Sequence, residues 1–324
     1  MLNDLKDTKK PAGTSFAPGH ITCFFTIHMG RSSLTSGSTG AGLCLREGVT
    51  TEVWIERGER AELTLFFNGV QHSSPTCNSI FRMLTDRVPV KVLARQTSRL
   101  VPGYGYGLSG ASALSLGLAI DRALGLGIST EMIGQLAHAA EVENLTGLGD
   151  VIAQLAGGYE LRERPGAPGV GRVQRLEMGD GHLIVTSPAM SFPTSNMITG
   201  DLAEKINVLG REALTSFSRS MDVKSLAAES RRFWERVGIL NNEKVRNVLN
   251  LFEKAGIENP SVKKGVVFGL VPREDLPRVA SFLAPGSPLQ KTGTGEYASF
   301  TPVINDPQSG IRLIISEISK GGAC

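Results

Sequence analysis

The run VPGYGYGLSGASALSLGLAIDRALGLG, Val101 to Gly127, constrains this chain more than any other segment. Gly103, Gly105, Gly107, Gly110 and Ser109 fall within ten residues, and an Ala/Leu-rich stretch of helical character follows directly. Glycines let a backbone turn sharply and approach a ligand closely. The free N–H groups of a first helical turn, together with the helix dipole, favour negative charge. The segment therefore reads as a loop feeding a helix N-terminus, an anion site whose natural ligand is a phosphate.

Several kinds of phosphate site are separable by spacing. GxxxxGK[ST] is absent, which excludes a P-loop. Gly105–Gly110 does match GxGxxG. A dinucleotide fold, however, needs that motif tight between strand and helix, with an acidic residue about 20 positions on at the end of a second strand. Here the preceding strand ends several residues early, and a second helix follows the first with no strand between. A purely structural loop, with Gly107 and Gly110 admitting close helix packing, stays open on the loop alone.

Hydrophobic patterning supplies the frame. HITCFFTIHM, TTEVWIE, RAELTLFF and VPVKVLARQ (Val88 to Gln96) read as strands. Helices are expected from about Gly110 to Leu124 and from Thr130 to Asn144, the second capped by Ser129 or Thr130. A third starts near Asp150 and ends at Gly157-Gly158. RERPGAPGVG, from Arg162 to Gly171, reads as a loop, and HLIVTSP (His182 to Pro188) as a strand. From Asp201 to Ala255 the texture turns to amphipathic helix, Val262 to Leu283 mixes strand and helix, and IRLIISEI reads as a closing strand. The expected organisation is a flexible extension over 1–14, an N-terminal domain over 15–190 and a C-terminal α+β domain over 191–324.

Composition narrows the function classes. With 41% apolar and 20% charged residues in 324, the chain can bury a proper core. A net charge of +3 is too mild to imply nucleic acid or a membrane surface, and no basic run is interleaved with aromatics. Asp121 and Arg122 interrupt the longest apolar candidate, so no transmembrane span is expected. The polar MLNDLKDTKKPAGTS lacks the apolar region of a secretory leader. Cys23, Cys44, Cys77 and Cys324 form no CxxC pair or zinc-spaced cluster and read as reduced structural thiols in a cytoplasmic protein.

The second helix carries the chemistry. His138 and Glu141 are three apart and share a face, whereas Glu143 points elsewhere and reads as a solvated charge. Asp150 opens the next helix. A carboxylate on a helix face and an aspartate at a neighbouring helix start can converge on a metal and a reacting hydroxyl, the equipment for Mg2+-assisted phosphoryl transfer. Helix capping is the competing role for Asp150.

Three motifs in order carry a resemblance. SFAPGHITCFF (Ser15–Phe25), GYGLSGASA (Gly105–Ala113) and TGLGDVIAQLAGG (Thr146–Gly158) resemble the N-terminal motif, the phosphate loop and the catalytic-aspartate segment of GHMP-superfamily kinases. APGHIT with His20, GSTGAGLCL (Gly37–Leu45), the SGA form of the loop and HAAEVENLTGLGD (His138–Asp150) are similar to the pantoate-phosphorylating branch found in archaea. INVLGREAL (Ile206–Leu214) and TPVINDPQSGIRLI (Thr301–Ile314) extend the likeness over essentially the whole chain after residue 14.

The resemblance implies a GHMP-kinase α+β fold: an N-terminal α/β sandwich domain, a ferredoxin-like second domain, and the site in the cleft between them. It implies ATP and Mg2+, phosphorylation of pantoate to 4-phosphopantoate on the way to coenzyme A, and a homodimer. Gly103, Gly105, Gly107, Ser109 and Gly110 match the loop on the ATP phosphates, Ser109 and Glu141 the metal-binding pair, and Asp150 the aspartate beside the acceptor hydroxyl. His20, Ser38, His138, Arg162 and Thr194 fall where that branch holds its acceptor, Arg162 suiting the carboxylate. Leu108 replaces the first serine of the superfamily loop, in agreement with that branch. VKKGVVFGL (Val262–Leu270) is a poor match to the superfamily's C-terminal glycine motif. A kinase for another small alcohol, homoserine- or mevalonate-like, is the nearest alternative, and a silent ligand-binding relative the more distant one.

Overall fold

The computed structural model describes residues 10–177, 181–285, 303–305 and 311–324. Strands β1 (Gly13–His28), β2 (Gly37–Arg57), β3 (Glu62–Phe67) and β4 (Val70–Gln71) lead into helix α1 (Pro75–Thr85) and β5 (Val90–Thr97). Helices α2 (Leu108–Leu124), α3 (Thr130–Glu143) and α4 (Asp150–Ala156) follow, then β6 (Tyr159–Arg164), β7 (Arg172–Leu176) and β8 (His182–Pro188). The second half holds α5 (Ser195–Ile198), α6 (Gly200–Phe217), α7 (Val223–Val237), α8 (Glu243–Lys254), β9 (Ser261–Lys263), β10 (Val266–Pro272), α9 (Leu276–Leu283), β11 (Val303–Asn305) and β12 (Arg312–Ser316).

The first sheet runs β4-β3-β5-β2-β6-β7, with β1 antiparallel to β2; the second runs β11-β12-β8-β10-β9. β8 thus belongs to the second sheet, and the passage from one sheet to the other falls between Leu176 and His182, ahead of the change of texture near residue 190. β1 is buried without a break from Ala17 to Ile27, which explains why its sequence is continuously apolar rather than alternating. Helix α2 covers β1, and α6 and α7 pack against it from the second half of the chain. Phe24 meets Phe217 edge-on at 5.4 Å and Phe25 meets Phe233 at 5.8 Å, so the two halves share one core.

Small residues let α2 lie against the sheet. Its face carries Ala111, Ser115 and Ala119, all fully buried, and Ser115 Oγ bonds Thr51 Oγ1 at 2.7 Å. The expected N-cap of α3 is present, Ser129 accepting from the Met132 N–H at 3.2 Å. Gly125 ends α2 in the left-handed conformation. The chain end returns to the first half, where the Phe16 N–H donates to the Cys324 carbonyl at 2.7 Å. The expected flexible extension lies outside the described residues up to position 9, and Gly13 and Thr14 already belong to β1. Most of TPVINDPQSG, carrying part of the resemblance, also lies outside them. The four cysteines are unpaired, and three are buried.

Candidate active site

Two adjoining cavities meet at Asp150. The larger, about 540 Å3, is lined by the glycine loop and the start of α2 from the first half, and by Ser191–Thr194 and Lys264 from the second. The smaller, about 40 Å3, shares Asp150, Thr194 and Lys264 with it and adds Thr22, Ser38, Lys263 and Trp234. The expected cleft between the halves is therefore present.

The loop takes its shape from glycine. Gly105 (φ 120°) and Gly107 (φ 66°) adopt backbone conformations that other residues rarely enter. A Cβ at Gly105 would also lie 2.3 Å from the Lys263 carbonyl oxygen, so only glycine lets the loop rest on the β9–β10 turn. The Gly265 N–H bonds the Tyr104 carbonyl at 3.0 Å, and the Phe192 N–H bonds that of Gly103 at 3.0 Å. Gly107 is the N-cap of α2, and the helical ladder begins with Ala111 donating to Gly107 at 3.2 Å. The N–H groups of Leu108, Ser109 and Gly110 precede that bond and are available to an anion. Gly103, Gly105, Gly107 and Ser109 line the larger cavity; Gly110 faces inward toward Glu141 and Gln154.

Asp150 is held by three side chains. Its Oδ1 accepts from His20 Nδ1 at 2.7 Å and from Lys263 Nζ at 2.8 Å, with Thr22 Oγ1 at 3.5 Å. Among the described residues its hydrogen bonds all fall on Oδ1, which leaves Oδ2 for an incoming hydroxyl. Burial alone would raise this carboxyl, but the Lys263 ammonium and the His20 contact hold it well below the usual carboxylate range.

Glu141 has the opposite setting. It is 1% exposed at the end of α3, and its Oε1 accepts from Thr146 Oγ1 at 3.3 Å. Thr146 joins Thr76 at 3.1 Å, and Thr76 joins Ser109 Oγ at 3.1 Å. Burial and then the Asp150 charge push the Glu141 carboxyl up to about 8, against the pull of Lys264 and a Ser109 hydrogen bond. Glu143 is exposed, as its position on the helix predicts.

The residues expected to hold an acceptor divide. Ser38 and Thr194 line the small cavity, and Thr194 donates to the Thr146 carbonyl at 2.7 Å while accepting from Lys264 Nζ. His20 is fully buried beneath it, with Nε2 3.0 Å from Glu160 Oε1. His138 lines neither cavity: its Nε2 donates to the carbonyls of Ser36 (2.9 Å) and Ser33 (3.2 Å), bracing the segment that leads into Ser38. Arg162 lies in strand β6 and not, as the Pro/Gly texture suggested, in a loop, because its pairing with Gly40 and Val173 carries the strand on to Arg164. It is 1% exposed and paired with Glu160 through Nη1, while Nε and Nη2 have no partner. A Cβ at Gly149 would sit 3.0 Å from Arg162 Nε and 2.1 Å from Ser38 Oγ, which puts the guanidinium just behind the cavity wall.

Three buried charges were not anticipated. Glu160 anchors both His20 and Arg162. Lys263 ends β9 and Lys264, at φ 57°, begins the turn to β10. Burial and the neighbouring Lys263 push the Lys264 ammonium down to about 8. The visible signal was two adjacent lysines inside the otherwise apolar SVKKGVVFGL.

Comparison with known proteins agrees with this geometry. Residues 77–158, which include α2, α3, α4 and Asp150, match the GHMP kinases N-terminal domain. The chain is 33% identical over 280 residues to a pantoate kinase of Thermococcus kodakarensis, covering 83% of this chain and 91% of that protein. It is 28% identical over 272 residues to a pantoate kinase of Methanocaldococcus jannaschii, covering 83% and 96%. A solved phosphotransferase related to the CoA biosynthesis pathway superposes with a TM-score of 0.78 at 27% identity, over 96% of this chain and 97% of that one. Homoserine kinase from Cytophaga hutchinsonii has the same fold, with a TM-score of 0.66 at 15% identity over 98% of both chains. The chain belongs to the pantoate kinase family of GHMP kinases.

Proposed function

We infer that this chain transfers the γ-phosphoryl group of ATP to D-pantoate, giving 4-phosphopantoate for coenzyme A biosynthesis. The observation that carries the reading is the junction at Asp150, where a nucleotide-sized cleft opens into a small polar cavity beside a carboxylate kept ionised by Lys263 and His20.

The ATP phosphates rest on the Gly103–Gly110 loop and the free N–H groups of α2, and the base occupies the apolar end near Phe67, Val70 and Phe192. The donor set suits Mg2+: Glu141 offers a buried carboxylate that no lysine or arginine among the described residues pairs with, and Ser109 a hydroxyl. Magnesium commonly takes one or two carboxylates, with phosphate and water completing its shell. When bound it neutralises charge on the phosphates. The acceptor hydroxyl binds Asp150 Oδ2 and attacks the γ-phosphorus as the bond to the ADP oxygen breaks; its proton leaves toward Asp150. So acidic an aspartate is a weak base, and its main task is to orient the hydroxyl in a loose transition state. Lys264, at the rim of both cavities, meets the charge on the transferred group. The free Nε and Nη2 of Arg162, with Ser38 and Thr194, hold the acid end of pantoate, and His138 acts through the backbone it braces.

Among the described residues no helix is long and apolar enough to cross a membrane. A cytoplasmic homodimer belongs to the same proposal on the strength of the family resemblance, and sedimentation of the purified chain tests the dimer. The functional reading is tested by ADP release and product mass with D-pantoate, homoserine and mevalonate as acceptors. Pantoate is expected to have the highest kcat/KM; a higher value for another alcohol overturns the assignment.

A further inference from the structure

Trp234 lines the small cavity and carries a donor that the reaction as described does not use. Trp234, on α7, is 0% exposed, yet its indole Nε1 has no hydrogen-bond partner. Buried N–H groups are nearly always paired, so an orphan in the wall of a cavity marks a place where something binds. The ring cannot turn away easily. It packs edge-on against Phe233 at 5.0 Å and tilted against Phe25 at 6.1 Å.

The cavity that Trp234 lines has two kinds of wall: polar at Ser38, Asp150 and Lys263, apolar at Phe25, Leu148 and Met197. Its volume, about 40 Å3, admits one small polar group rather than a whole acceptor. A molecule whose reacting hydroxyl sits at Asp150 would put its far end here. Branched carbon suits the apolar wall, and oxygen suits the donors.

We propose that the Trp234 indole N–H donates a hydrogen bond to an oxygen of the acceptor's 2-hydroxy-acid end, which makes Trp234 a specificity residue for hydroxy acids over plain alcohols. This rests on the reading of Asp150 as the site of the reacting hydroxyl. A site that spends a buried donor on one substrate oxygen discriminates against analogues lacking it.

Trp234→Phe deletes the N–H and keeps an aromatic ring. The expected result is a rise of about tenfold in KM for pantoate, with kcat and the KM for ATP little changed. With 2,2-dimethyl-1-propanol, which keeps the reacting arm and lacks both oxygen groups of the hydroxy-acid end, variant and wild type should behave alike. A second readout needs no turnover. The chain has two tryptophans, and Trp54 lies on β2 under Arg95, 5.1 Å from the ring centroid. In a Trp54→Phe background the emission of Trp234 should shift on adding pantoate without ATP, and stay fixed on adding 2,2-dimethyl-1-propanol. An unchanged KM for pantoate, an equal loss on 2,2-dimethyl-1-propanol, or emission that does not move at pantoate concentrations saturating turnover each overturns the inference. Wild-type turnover separates the two levels: a wild type inactive on pantoate overturns the functional reading, whereas an active one with an indifferent Trp234→Phe overturns only this proposal.

Discussion

Glu141 and Asp150 lie in one buried layer and have opposite surroundings. The Glu141 side is built of neutral hydroxyls, Thr146, Thr76 and Ser109, and its carboxyl is pushed up to about 8. The Asp150 side is built of cationic and imidazole donors, Lys263 and His20, and its carboxyl is pulled well below the ordinary range. A buried carboxylate without a cation is a place to put one, and a buried carboxylate already paired is held ready in a fixed orientation. Under the proposed function, the contrast gives metal holding to the first and acceptor positioning to the second.

The largest effect should come from the paired side. Asp150→Asn is expected to lower kcat about a hundredfold or more, with the KM for ATP little changed. Steady-state kinetics check this; a near-normal kcat would reduce Asp150 to a helix cap and erase the contrast.

Arg162 extends the same side one shell outward. Arg162→Ala should cost about 1.5–3 kcal/mol in binding the pantoate carboxylate, roughly a ten- to hundredfold loss of kcat/KM for pantoate. Binding of an ATP analogue should barely change. Because the substitution also strands Glu160, thermal stability should fall as well, and Arg162→Lys should restore the fold more fully than the kinetics. A loss shared equally between ATP and pantoate would remove Arg162 from the acceptor site.

Lys264 stands between the two carboxylates and sharpens the comparison by pH. A cation pushed down to about 8 is present below that pH and lost above it. The kcat/KM for ATP should therefore fall as pH rises through about 8. Lys264→Arg, whose guanidinium stays charged, should move that limb upward with a small change in the plateau. A limb that ignores the substitution would show that Lys264 does not meet the phosphates.

Much of this arrangement was legible because it is local. The glycine loop, Ser109, Glu141 and Asp150 come from consecutive elements, and periodicity alone placed Glu141 inward and Glu143 outward. Loop conformation followed from glycine content, as Gly105 and Gly107 show at positive φ. The remainder was hidden by distance along the chain. Lys263 bonds the His20 carbonyl across 243 residues, and no spacing rule connects them. Glu160 and Arg162 alternate on β6 facing His20, but the neighbouring Pro165 and glycines masked the strand. His138 does share the inward side of α3 with Glu141, yet helix geometry could not show that backbone carbonyls, not a ligand, meet its ring. The change of sheet before β8 was equally invisible, since a strand's sequence does not reveal its neighbours.

The division of labour between the carboxylates is tested most directly by a Mg2+ titration of activity at saturating ATP and pantoate in wild type, Glu141→Gln, Glu143→Gln and Asp150→Asn. Glu141→Gln should raise the Mg2+ needed for half-maximal rate by about tenfold or more and recover much of its rate at high Mg2+. Glu143→Gln should match wild type, and Asp150→Asn should keep wild-type Mg2+ dependence at a low rate that no added metal restores. Rescue of Asp150→Asn by Mg2+, or an unchanged Mg2+ requirement in Glu141→Gln, would contradict the account.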